Sequence, residues 1–266
     1  MSAVATTPEQ VLEAFRRDGI AVARFTDLFG AELWQDAVAD ITPFVDSTRE
    51  QAADLSKQKK AKGKEEVIVR RFFSRDGAVP HYSLSGPWLR IAASDGVLDI
   101  VNGYTGQPRK LTYVDNWYTV PYPHATKRVA SQRWHRDPDD DHIVKVFVYF
   151  SDVDEEAGPF EYVRDSAADG KYGQLWPGTE GVYPPGEELE AAVDPEDRMT
   201  MTGPAGTVIF CDTAGFHRGG FARTKPRILM ISTFLRENTW KGKRRFEVDF
   251  EGREESLSDQ ARRALS

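Results

Sequence analysis

Cysteine is all but missing from this chain: Cys211 is the single one in 266 residues. That excludes an internal disulfide framework and any zinc or iron–sulfur centre built on several thiolates. A basic surplus is missing too. Lys and Arg number 35 against 42 Asp and Glu, a net charge of −7, which argues against a general nucleic-acid binder. One well-placed arginine would still suffice for a small anionic ligand. No stretch approaches the roughly 20 apolar residues that span a membrane. The opening residues MSAVATTPEQ lack the basic-then-apolar pattern of a secretory signal, so a cytoplasmic protein is expected. No internal repeat is visible. Histidine is scarce, five in all, so each one can be weighed separately.

What is present is ordinary for a globular chain: 40% hydrophobic and 29% charged residues, enough for a large core. One domain over residues 1–266 is expected, in three parts. Residues 1–110 read as mainly helical support. Thr7, Pro8 and Gln10 open a helix that Gly19 ends, a short strand covers 20–25, and apolar residues at helical spacing run over 30–44 and 87–102. Residues 49–66 carry Lys57, Lys59, Lys60, Lys62 and Lys64 and read as a solvated helix end and mobile loop. From residue 111 the texture changes to β-branched and aromatic runs: 111–120, 129–135, 143–150, 207–211 and 227–235. In 143–150, Val144, Val146, Val148 and Phe150 alternate with Lys145, Phe147 and Tyr149. Short strands after a helical third predict a β-sandwich or barrel braced by helices over 111–236. Residues 165–198 form a long excursion between strands, and 237–266 a C-terminal tail.

The sharpest local feature is Trp134-His135-Arg136-Asp137-Pro138. In an extended segment, residues two apart project to one side, so His135 and Asp137 converge. They supply two-thirds of a two-histidine, one-carboxylate triad. Such a triad holds ferrous iron on one face and leaves positions open for a chelating oxo-acid and dioxygen. Alone, the tripeptide fits a turn equally well, given Pro138 and the acidic run 139–141. The second segment changes the balance: a Gly203-Pro204-Ala205-Gly206 turn, an apolar strand, then His217 as third ligand. Ten residues later Arg227 opens an apolar run. A buried guanidinium there is costly unless an anion pairs with it, and its fork matches the far carboxylate of 2-oxoglutarate.

These landmarks carry a family resemblance. Gln10-Val11, the segment from Phe15 to Val22, Gln132 to Asp137, Gly158 to Val163, Gly206 to Asp212, His217 and Lys225-Pro226-Arg227 occur in order over about residues 8–235. The chain resembles the phytanoyl-CoA dioxygenase family of Fe(II)- and 2-oxoglutarate-dependent oxygenases. The resemblance implies a double-stranded β-helix (jelly-roll, cupin-like) core with flanking helices. It implies Fe(II), 2-oxoglutarate and O2 as cofactors, with His135, Asp137 and His217 as metal ligands and catalytic centre, and Arg227 holding the cosubstrate. Where the family often has a Pro-Gly-Ser-His run, this chain reads Val163-Arg164-Asp165-Ser166, which leaves the ligands intact and changes the nearby pocket. Asp137 also argues against halogenation, since related halogenases replace that carboxylate.

Other candidates carry competing readings. Asn116, sharing a strand face with Tyr118, could hydrogen-bond the oxo-acid or simply pack. Trp134 and Phe216 could line the pocket, with core packing the stronger reading. Arg136 and Arg218 could meet a substrate anion, with surface ion pairs the stronger reading. Structural or surface roles suit His81, His124 and His142. Phe72, Phe73, His81 and Tyr82 lie in a variable stretch that could shape substrate choice. The expected function is oxidation, by preference hydroxylation, of an unactivated C–H bond in a small molecule such as a natural-product intermediate. An acyl-CoA hydroxylase and a non-catalytic jelly-roll sensor are the alternatives. Oligomeric state is not legible.

Overall fold

The computed structural model describes residues 4–60, 67–72, 78–177, 181–239 and 242–266. Helix α1 (Pro8–Asp18) begins where Thr7 Oγ1 accepts the Gln10 N–H and ends at Gly19, whose φ of 70° is left-handed. The Gln10 side chain caps one residue earlier than the capping-box pattern predicts, accepting the Thr6 N–H at 3.0 Å. Strand β1 (Ile20–Arg24) and the short α2 (Phe25–Phe29) follow, then α3 (Ala31–Lys60). That helix is a correction to the 30–44 expectation. The buried stripe Leu33, Ala37, Ile41 and Val45 continues through Thr48, a polar residue that periodicity in large apolar residues misses. The expected helix end therefore takes in all of residues 49–60, and Lys62, Lys64 and Phe73 lie outside the described residues. The 87–102 stretch is two helices, α4 (Pro87–Ala92) and α5 (Asp95–Thr105), because Ser94 caps the second by accepting the Val97 N–H.

Six antiparallel strands make the large sheet, in the order β1, β8 (Thr207–Asp212), β5 (Val144–Tyr149), β10 (Arg227–Leu235), β4 (Lys110–Thr119), β2 (Ile68–Arg70). A small sheet of β7 (Arg198–Met201), β6 (Phe160–Val163) and β9 (His217–Gly219) faces it. Strand alternation sorts the two cores. Phe147, Tyr149, Ile209, Leu229 and Ile231 meet Phe160, Tyr162 and Met201 between the sheets. Val144, Val146, Val148, Phe210, Ile228 and Met230 face the other way, onto Val11, Phe15, Ile41, Leu98 and Val101 of the helices. The result is the expected jelly-roll braced by helices on one side. Residues 129–135 are not a strand: they form a 3-10 turn at Ala130–Gln132 and pair only at His135.

Two further elements close the helical side. Strand β11 (Glu247–Asp249) pairs in parallel with β3 (His81–Ser83), and α7 (Asp259–Leu265) buries Ala261, Ala264 and Leu265. The excursion 165–198 contains α6 (Gly186–Ala192). Among the described residues, no helix is long and apolar enough to cross a membrane.

One member of the acidic 139–141 run is structural. Asp140 accepts from Arg109 Nη1 at 2.6 Å, with side chains 0% and 1% exposed, and from Arg236 Nε at 2.7 Å. Removing one partner of a buried pair leaves an uncompensated charge, so Asp140→Ala is expected to cost about 3–5 kcal/mol in urea unfolding. A loss below about 1 kcal/mol would contradict that account.

Candidate active site

The site is assembled by backbone pairing. His135 N–H donates to His217 O at 3.0 Å and His217 N–H donates to His135 O at 2.9 Å, a one-residue antiparallel bridge. It sets the two imidazoles side by side, ring centroids 4.1 Å apart. Asp137 N–H donates to Thr213 O at 2.9 Å, which keeps 135–137 extended and turns the carboxylate to the same side. Asp137 Oδ1 lies 4.0 Å from His135 Nε2, and Oδ2 lies 3.8 Å from His217 Nε2. One ligand atom from each of the three falls within 4.8 Å of the others.

Protonation suits a cation. His135 Nδ1 bonds Arg133 O at 2.9 Å, and His217 Nδ1 bonds Gly215 O at 3.0 Å. A carbonyl can only accept, so Nδ1 carries the proton in each ring and Nε2 keeps its lone pair towards Asp137. Burial lowers the His135 pKa, and burial with the neighbouring His135 pushes His217 down to about 3. Burial alone would raise Asp137. The Lys145 ammonium, 2.6 Å from Oδ2, and His217 outweigh it and hold the carboxyl well below its usual range.

A consequence is testable with a simple metal. Two imidazoles with ordinary pKa values near 6.5 would lose roughly 16-fold in divalent-metal affinity between pH 8 and pH 6, through proton competition. With His217 held at about 3 and His135 lowered from its ordinary value, proton competition across that window is much weaker. Manganese(II) titrations at pH 8, 7 and 6 are expected to differ by less than about threefold; a tenfold loss at pH 6 would refute the assignment. The same depression has the opposite consequence for folding of the metal-free protein. The unfolded chain takes up protons below about pH 6.5 and the native one does not, so these two groups erode stability as pH falls.

Arg227 opens β10 and is buried. Its Nη1 donates to Gly158 O, while Nε has no partner. Among the described residues, no carboxylate pairs with it. A cavity lined by Trp117, Phe147, Tyr149, Phe160, Leu229 and Ile231 joins Arg227 to His135 and His217. The triad with two free Nε2 atoms therefore fits a divalent metal, and the buried, unpaired guanidinium fits the far end of a dicarboxylic oxo-acid.

Other candidates fall elsewhere. Asn116 does not reach the site. It pairs with Met230 and shares the face of Val114 and Tyr118, which packs on the helices, whereas Tyr113, Trp117 and Thr119 occupy the cavity face of β4. Among the described residues Arg136 forms no ion pair: it lies 3.7 Å over Phe216 and donates to the carbonyls of Ser166, Tyr172, Gly173, Ala214 and Leu175. Arg218 pairs with Glu161 and Glu190, both at 2.7 Å. Trp134 is buried and donates Nε1–H to Glu190 at 2.9 Å, so with Arg218 it ties α6 to both ligand segments. His142 bonds buried Asp212 at 2.6 Å, a structural role. Lys145 is the residue that sequence reasoning passed over; its signal was a lone cation in the apolar strand β5.

Comparison with known proteins agrees with this geometry. The family model for phytanoyl-CoA dioxygenase (PhyH) matches residues 13–227. AviO1 from Streptomyces viridochromogenes Tue57 is 16% identical, superposes with a TM-score of 0.56, and covers 89% of this chain and 98% of its own. EctD from S. alaskensis, solved with 2-oxoglutarate and 5-hydroxyectoine, is 16% identical at a TM-score of 0.54, covering 94% and 91%. The epimerase SnoN, solved with Fe3+, alpha ketoglutarate and nogalamycin RO, is 17% identical at a TM-score of 0.53, covering 87% and 84%. These similarities show a common fold. No curated protein sequence matches the chain. A family match over this span settles the class: the chain belongs to the phytanoyl-CoA dioxygenase family and is an iron- and 2-oxoglutarate-dependent dioxygenase.

Proposed function

We propose that His135, Asp137 and His217 hold the iron(II), that Arg227 receives the far carboxylate of 2-oxoglutarate, and that the protein hydroxylates an unactivated C–H bond of a small organic substrate. The observation that carries this reading is one cavity lined both by His135 and His217 of the triad and by Arg227, whose buried guanidinium has no carboxylate partner among the described residues. Bound iron and 2-oxoglutarate would supply, with dioxygen, the oxidising power for the reaction, releasing succinate and carbon dioxide.

The rest is the work of the chain. The Arg133 and Gly215 carbonyls fix the imidazole tautomers, and Lys145 keeps Asp137 ionised with one oxygen engaged, leaving the other for metal. Arg227 orients the oxo-acid, and Trp117, Phe147 and Phe160 form an apolar wall that excludes water from the oxidising centre. The apolar wall supports a substrate presenting hydrocarbon to the iron. Structures of this fold solved with nogalamycin RO and 5-hydroxyectoine make a small natural-product intermediate the substrate class we favour.

The test is anaerobic addition of iron(II) and 2-oxoglutarate to purified protein. A visible metal-to-ligand charge-transfer band, followed in air by succinate formation that a natural-product panel stimulates, supports the reading. Absence of the band with iron bound sinks it. Stimulation by acyl-CoA thioesters alone would replace the substrate class and leave the site standing.

A further inference from the structure

We infer that Arg133 and Tyr183 form the recognition rim of the site and select a primary substrate that carries an anionic oxygen group, a carboxylate or a phosphate; this rests on the metal assignment above. Arg133 is extended, with φ −83° and ψ 150°, and stands two residues before His135 and four before Asp137. In such a segment the three side chains project to one side, so the guanidinium leaves the chain beside the two candidate ligands. Ser131 and His135, on either side of Arg133 along the chain, line the cavity. The guanidinium lies 4.5 Å over the Tyr183 ring, and that ring is 5.7 Å from the His135 imidazole. Arginine, tyrosine and histidine thus form one continuous edge beside the cavity.

Tyr183 is held in place while its ring is left open. Val182 O accepts the Arg136 N–H at 3.2 Å, which fastens the excursion to the residue between the two ligands, and Pro184 on the other side is buried. Yet Tyr183 is 39% exposed, the one exposed aromatic side chain among the described residues. A fixed, open aromatic face is a surface on which a flat or apolar substrate can lie. The charge is equally available. Arg136 and Arg218, the other arginines of the ligand segments, are taken by carbonyls and by Glu161 and Glu190. Lys145 is engaged by Asp137. Among the described residues, no carboxylate pairs with Arg133. A guanidinium stacked on a ring keeps its in-plane N–H donors, and their fork fits two oxygens of a carboxylate or phosphate. In a chain of net charge −7, a placed arginine is what gives such an anion a favourable approach.

The experiment saturates the protein with manganese(II) and 2-oxoglutarate without oxygen, so that Arg227 is occupied. It follows the broadening of probe proton resonances by the bound paramagnetic ion, with zinc(II)-loaded protein as the diamagnetic blank. The probes are benzoate, phenyl phosphate and the neutral benzamide. Wild type is expected to bind at least one of the two anions about tenfold more tightly than benzamide, the worth of a charge-assisted hydrogen-bonded pair, and the stronger anion names the group. Arg133→Gln should remove that preference. Tyr183→Leu should weaken all three probes about threefold and keep the preference. Both side chains are exposed, and circular dichroism checks that the variants fold. Wild type that prefers neither anion over benzamide, Arg133→Gln that keeps the preference, or Tyr183→Leu that binds every probe as wild type does would each overturn the inference. Wild type that fails to bind manganese(II), read from water-proton relaxation, would overturn it together with the triad.

Discussion

His217→Ala is expected to lower iron(II) affinity by at least a hundredfold and to abolish both the charge-transfer band and succinate formation. Loss of a group that merely orients a ligand already costs 10–100-fold in metal affinity, and His217 would donate directly. The variant should still fold. The bridge joining the two ligand segments is made by main-chain atoms of His135 and His217, which alanine preserves. The buried ring also gives up its bond to Gly215 O, so a modest stability loss of about 1–3 kcal/mol accompanies the change. Iron competition titration, with circular dichroism as the folding control, reads the two effects separately. A folded His217→Ala protein that binds iron like wild type would remove this residue from the metal site.

The second large effect belongs to Arg227. Arg227→Ala is expected to raise the dissociation constant for 2-oxoglutarate several-hundredfold, since loss of one member of a buried charge pair costs about 3–5 kcal/mol. Iron affinity should change less than threefold, because Arg227 is not one of the three candidate ligands and its Nη1 donates to Gly158 O rather than to any of them. At saturating cosubstrate much of the turnover should return. The pairing of these two results is the informative part. His217→Ala removes metal and with it oxo-acid chelation, whereas Arg227→Ala spares metal and loses only the oxo-acid. Equal 2-oxoglutarate affinity in wild type and Arg227→Ala would point instead to metal chemistry that needs no dicarboxylic cosubstrate.

Much of this site was legible before any coordinates. His135 and Asp137 are two residues apart, and in an extended segment that spacing dictates a shared side whatever surrounds them. The turn, strand and histidine of 203–217, and the arginine opening an apolar strand, are local patterns as well; β10 runs over Arg227–Leu235 just as its composition predicts. Helix ends were legible where a cap is a local bond, as at Thr7 and Gly19, and the cap at Ser94 was missed because apolar residues at helical spacing run on either side of it. Helix α3 outran its prediction because Thr48, not a large apolar residue, continues its buried stripe.

Local patterning was enough for five of the six strands of the large sheet, for the candidate ligand set, for the arginine that opens β10 and for the family. Each of these follows from spacing within a few residues, or from landmarks in order along the chain. Which side of each strand faces the cavity was set by packing between distant segments. Alternation states that Asn116 and Tyr118 share a face and that Trp117 and Thr119 share the other. The choice between them depends on what packs against the sheet, here helices on one side and the small sheet on the other. The same holds for Lys145 beside Asp137, for Thr119 opposite Arg227, and for Arg136 enclosed by five carbonyls. Each joins groups from different segments of the chain, and such pairings are fixed by packing, not by local preference.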